Sequence, residues 1–200
     1  MTVPRPALAL TLILLAAAAC GGNRVLVPPR LDLRPYGKLG LVTFTVENAK
    51  GSLHQFATER FAEEMLAAQP GIEVLELGPL HSELDAARAQ QLGKDRGVAA
   101  VFAGHLKVTN PTAGGGIAGL VTPHLEATIR VDLSVRLLSA QSGGTVWRSS
   151  AWATQKVGQV SLVGGELNFA ARDPKAAYGP LVNRIVNLVA QDMWSTWQKR

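Results

Sequence analysis

The stretch "LEATIRVDLSVRLLSA", Leu125 to Ala140, decides how the chain folds. Its odd positions Leu125, Ala127, Ile129, Val131, Leu133, Val135 and Leu137 are apolar. Its even positions Glu126, Thr128, Arg130, Asp132, Ser134 and Arg136 are polar. A strict period of two predicts a strand with one dry face and one wet face. At about 3.3 Å per residue it spans roughly 45 Å. "QSGG" then turns the chain, and "TVWRSSAWATQKV" returns as an antiparallel partner.

Upstream, "VAAVFAGHLKVT" (Val98 to Thr109) is a strand whose small residues suit a central position covered by helices. "KLGLVTFTV" (Lys38 to Val46) is a buried, β-branched strand, and "IEVLELG" (Ile72 to Gly78) another. Between these two, "SLHQFATERFAEEMLAAQPG" predicts a helix. Ser52 and Gln55 have capping-box spacing. Leu53, Ala57, Phe61 and Met65 form an i+4 stripe, Glu59, Arg60, Glu63 and Glu64 face away, and Pro70-Gly71 ends the helix. "SELDAARAQQLGKDRG" predicts a second helix, capped by Ser82 and stopped between Gly93 and Gly97.

Downstream, "GQVSLVGGELNFAARDP" reads as a small hairpin or a packed loop. Asp173-Pro174 is a helix start. Pro180 kinks or restarts that helix, and Val182, Ile185, Val186, Val189, Met193 and Trp197 carry a stripe to the C-terminus. The order β-α-β-α-β-β-β-α implies an α/β fold, with a mixed β-sheet and helices packed on it.

The first twenty residues set the compartment. One cation, Arg5, precedes an apolar run from Ala7 to Ala19, then small residues, then Cys20, the sole cysteine. The run is short of the roughly 20 residues that span a bilayer. It has the layout of an export signal over residues 1–19. Small residues before Cys-Gly-Gly resemble a bacterial lipobox with lipidation at Cys20, although Ala17 stands where Leu is usual. An ordinary export signal with an incidental cysteine is the alternative. Lipidation accounts for an unpaired thiol in an exported chain. Gly21, where Asp would retain a lipoprotein in the inner membrane, implies outer-membrane sorting and a periplasmic domain. Residues 20–37, rich in Pro and Arg, read as a tether, with Arg24, Arg30 and Arg34 either near headgroups or merely solvated. One domain, 38–200, follows.

Composition narrows the function. Apolar residues at 47% and charged residues at 18% exclude a disordered chain. The net charge of +5 is scattered rather than clustered, so nucleic acid is not an expected partner. "NPTAGGGIAGLVTPH" (Asn110 to His124) contains G-x-G-x-x-G at Gly114, Gly116 and Gly119. A dinucleotide loop needs a helix directly after the glycines. Here Pro123 and a strand follow, Asp132 comes too early for a ribose acid, and no Gly-Lys-Ser/Thr occurs. The loop is a connection, either flexible or a partner contact through Ile117, Leu120 and Val121. His54, His81, His105 and His124 lack metal-ligand spacing, and no G-x-S-x-G occurs. No cofactor and no catalysis are expected. Trp147 and Trp152 differ by five and face opposite sides of a regular strand, so either one is exposed for a partner or both are core or edge packing.

"GKLGLVTF", "FAEEML", "IEVLELG", "LGKDRGVAAVFAGHL" and "VDLSVRLLSAQSGGTVWRS", in that order, resemble the periplasmic domain of CsgG-type curli-secretion lipoproteins, LpoB-type activators of penicillin-binding proteins and the N-terminal domain of TolB. The resemblance runs from Lys38 to Gln198. It implies an α/β domain without catalytic residues that contacts other cell-envelope proteins as an adaptor or activator. The alternative it implies is a homo-oligomeric, curli-type pore subunit. Membrane strands need about 9–11 residues each; Asn110 to His124 and Val157 to Ala171 are too short to give two such strands unless they borrow from flanking strands.

Overall fold

A computed structural model describes residues 24–80, 83–109, 127–157, 161–163, 166–169 and 174–199. They form two units, each described by itself. The smaller is an antiparallel ribbon of β1 (Arg24–Val27) with β11 (Thr196–Lys199), in which Leu26 lies opposite Trp197. The larger, Arg30–Trp194, is α/β. Its strands are β2 (Lys38–Val42), β3 (Thr45–Glu47), β4 (Ala49–Gly51), β5 (Glu73–Gly78), β6 (Ala100–Thr109), β7 (Ala127–Ser139), β8 (Thr145–Val157), β9 (Ser161–Val163) and β10 (Glu166–Phe169). Its helices are α1 (Leu53–Ala68), α2 (Ala86–Arg96) and α3 (Pro174–Ala190).

The main sheet is mixed, in the order β5-β2-β6-β7-β8, with β3 continuing beside β6. Its first half is parallel and its second antiparallel. The period-two stretch becomes β7. Ile129, Val131, Leu133, Val135 and Leu137 are all buried on one face, where α3 packs on them in a core shared with α1. Each such side chain contributes about 1.5–3 kcal/mol. The glycine-bearing segment before β7 lies outside the described residues.

α1 buries its expected stripe of Leu53, Ala57, Phe61 and Met65. Two expectations differ. Ser52 caps the helix by position only: its Oγ meets the Tyr178 hydroxyl at 2.6 Å instead. Glu64 does not face solvent but is 7% exposed, accepting from Arg60 Nη2 at 2.8 Å and Trp194 Nε1 at 3.0 Å. Ser82 lies outside the described residues, and α2 is capped by Asp85, whose carboxylate accepts from the Arg88 amide at 2.7 Å. Gly97 ends α2 with a left-handed φ of 65°. α3 runs through Pro180 without a restart.

"KLGLVTFTV" breaks into β2 and β3 at Thr43–Phe44. The Phe44 amide donates to Thr58 Oγ1 on α1 at 2.9 Å, which satisfies the group that a strand ladder would have used. Its ring turns inward to Phe61 (5.4 Å), which packs on Phe102 (5.4 Å), which in turn meets Trp147 (6.0 Å). Gly104 makes room, since a Cβ there would come within 2.5 Å of the Phe44 ring.

The tether expectation also gives way. Leu31 and Leu33 are buried, and residues 34–36 form a 3-10 turn. Gln69, 6% exposed, holds this segment. The Leu33 amide donates to its Oε1 at 2.7 Å, and its Nε2 donates to the carbonyls of Leu31 (2.6 Å) and Met193 (3.0 Å). Trp197 leaves the predicted helical stripe, because the helix ends and the chain becomes extended at Trp194. The segment after β8 contains a hairpin, β9 with β10, and β10 also runs parallel to β4.

Candidate functional site

The opposite face of the main sheet is only partly covered. α2 seals the start of β6 and the end of β7, with Ala89 and Leu92 packed among Val98, Val101 and Leu138. Beyond α2 that face lies open. β6 is therefore central but buried along its whole length on one side only. This is why its burial changes at His105, after which every second residue is exposed.

Strand register arranges the open face in rows. Ala103, Arg136 and Arg148 form the first, nearest α2. Thr45, His105, Ser134 and Ser150 form the second. Glu47, Lys107, Asp132 and Trp152 form the third, and Thr109, Arg130 and Thr154 the fourth. Each row is a set of cross-strand neighbours about 4.5–5.5 Å apart at Cβ.

Hydrogen bonds tie the rows into a ladder. Thr45 Oγ1 lies 2.9 Å from His105 Nδ1, and His105 Nε2 lies 3.3 Å from Glu47 Oε2. Lys107 Nζ donates to Glu47 Oε1 at 2.9 Å. The hydrogen bonds from Lys107 and then His105 hold the Glu47 carboxyl below its ordinary value. Arg130 Nη2 donates to Asp132 Oδ1 at 2.9 Å, and its guanidinium carbon sits 4.4 Å from the centroid of the Trp152 ring.

The order hydroxyl, imidazole, carboxylate at Thr45, His105 and Glu47 has the sequence of a nucleophile relay. β6 is paired on both sides here, with β3 and β7, so its backbone amides are used in the sheet. What the rows do offer is a flat surface of alternating charge with an indole at one end.

Two depressions lie on this face. One of about 830 Å³ sits at the α2 end, and one of about 260 Å³ sits between His105, Lys107, Asp132 and Trp152. Trp152 is 55% exposed. Trp147 points the other way, as its spacing predicts. Half-buried, it packs on Phe102 and donates its Nε1 to Asp192 Oδ2 at 3.2 Å. Cys20, Ile117, Leu120 and Val121 lie outside the described residues. Arg136 and Arg148 were missed as a pair. Their signal is in the sequence, since "VRLLSAQSGGTVWR" places them symmetrically about the turn, but it is visible only once the register is known.

No family model matches the sequence, and no curated protein matches it. Solved structures do. A point-variant PelC dodecamer from Paraburkholderia phytofirmans matches with a TM-score of 0.52 and 12% identity, over 88% of this chain and 99% of that one. A lipoprotein from Neisseria meningitidis, GNA1162, matches at 0.41 and 15%, over 60% and 83%. The LpoB C-terminal domain from Escherichia coli matches at 0.40 and 19%, over 62% and 88%. At these identities the PelC likeness shows a shared fold.

Proposed function

We propose that this chain is a lipid-anchored protein of the cell envelope. It acts by binding another envelope protein through the Trp152 end of the open sheet face, as a non-catalytic adaptor or activator. The observation that carries this reading is Trp152 itself: a large, half-exposed indole stacked by Arg130, at the rim of a polar ladder. Trp and Arg are the side chains most enriched where proteins bind one another. The anchor at Cys20 and the outer-membrane address rest on the sequence layout. Among the described residues no helix is long and apolar enough to cross a membrane.

A photo-crosslinking residue at Thr154, beside Trp152 on β8, tests the contact, with the same residue at Glu59 on the outer side of α1 as the control. The expected result is one discrete adduct with an envelope protein from position 154 and none from position 59. Equal labelling at both positions, or none at 154, overturns it. Loss of labelled palmitate from a Cys20→Ser variant tests the anchor.

A second reading is a subunit of a homo-oligomer, with a secretion pore as its most specific form. It is favoured by the position of β8 as the last strand of the sheet, a natural place for another copy to add. The fold likeness to a dodecameric protein points the same way. Light scattering in detergent separates the readings, and conductance in planar bilayers tests the pore.

A further inference from the structure

We propose that the larger depression, at the α2 end of the open face, binds a small organic anion: a carboxylate or phosphate-monoester head on a short apolar body. Arg136 and Arg148 stand directly opposite each other on β7 and β8, and both line this space. Like charges in that relation repel and destabilise a sheet. One of the two is partly compensated. Arg136 Nη2 donates to Glu83 Oε1 at 2.9 Å and to the Leu84 carbonyl, which fixes the guanidinium in place. The Glu83 side chain is 85% exposed, so its ion pair is weak and readily exchanged. Arg148 has no ion-pair partner among the described residues.

The lining thus carries one cation fixed by hydrogen bonds, one without an ion-pair partner among the described residues, and one displaceable acid. An added acid relieves the repulsion between the arginines as it binds. Guanidinium groups grip planar carboxylates and phosphates through paired N–H donors. The hydroxyl of Thr45 stands on the wall beside His105. Val42, Leu80 and Leu84 form an apolar side, which selects for a ligand with a hydrocarbon portion over a bare inorganic anion. The site is independent of the partner contact at Trp152, two rows away.

Titration calorimetry on the full chain in a non-ionic detergent tests it, with hexanoate, hexyl phosphate and hexanol as probes. Saturable binding of either acid is expected, with hexanol silent, and the tighter of the two acids names the head group. Arg148→Ala should weaken that binding by about tenfold or more. The same variant without ligand should melt at the wild-type temperature or above it, because it removes a repulsion; a merely structural arginine would lower it. Arg136→Ala is the poorer test, since it also releases Leu84. Equal binding of hexanol, unchanged binding in Arg148→Ala, or no heat from either acid up to roughly 10 mM overturns the proposal.

Discussion

The Gln69 side chain and the Leu33 backbone meet in a hydrogen bond of 2.7 Å inside the core. With its two other bonds, to the Leu31 and Met193 carbonyls, Gln69 joins the incoming chain, the end of α1 and the turn after α3. Gln69→Leu keeps the volume and orphans all three backbone groups. Leaving buried polar groups unpaired costs about 1–3 kcal/mol each, partly recovered by relaxation. The variant should lose about 2–4 kcal/mol in urea unfolding. A change below about 0.5 kcal/mol would mean the clasp does not hold the fold.

Gly104 and Phe44 form a size-complementary pair. Gly104→Ala places a methyl within 2.5 Å of the ring and should destabilise by about 1–3 kcal/mol. Phe44→Leu should cost stability alone yet partly rescue Gly104→Ala. A double-mutant cycle measures this, and strict additivity would refute the contact.

The two indoles of β8 should separate function from stability. Trp147→Ala breaks the stack on Phe102 and the bond to Asp192, and should cost about 3 kcal/mol. Trp152→Ala should change stability by less than about 1 kcal/mol while abolishing the adduct expected from the neighbouring position Thr154. If Trp152→Ala unfolds the domain, the indole is structural and the contact assignment fails.

His54 sets a pH dependence. It lies in the first turn of α1, half-buried, and burial lowers its pKa below the ordinary 6.5. Its Nδ1 has no hydrogen-bond partner among the described residues. The unfolded chain therefore takes up the proton first. Stability should decline as pH falls below 6.5, and the decline stops once pH passes the lowered folded-state value. Urea midpoints at several pH values between about 7.5 and 5 should show this slope flattened in His54→Gln. An identical slope in the variant would assign the effect to other groups.

The sequence was most legible where one element decides its own environment. β7 alternates because it has helices on one side and an open face on the other. The α1 stripe repeats because one face packs on the sheet. Legibility ended where a distant residue takes over. Glu64 reads as a surface acid until Trp194, far along the chain, reaches its carboxylate. Phe44 reads as the middle of a strand until Thr58 claims its amide and Gly104 admits its ring. Leu31 and Leu33 sit between prolines and look like linker; only Gln69, which carries no periodic signal, shows them to be core. The candidate site was half legible. That Trp147 and Trp152 face opposite ways follows from spacing on a strand, whereas the rows of the open face require the register.

The early capture of Leu31 shortens the leash. From Cys20 to Leu31 there are eleven residue steps, and a fully extended chain of that length covers at most about 40 Å. An acyl group on that cysteine, as proposed, would hold the start of the packed unit within about 40 Å of the bilayer. Under that proposal the unit cannot roam the compartment, and a protein that binds it must approach the membrane to be met.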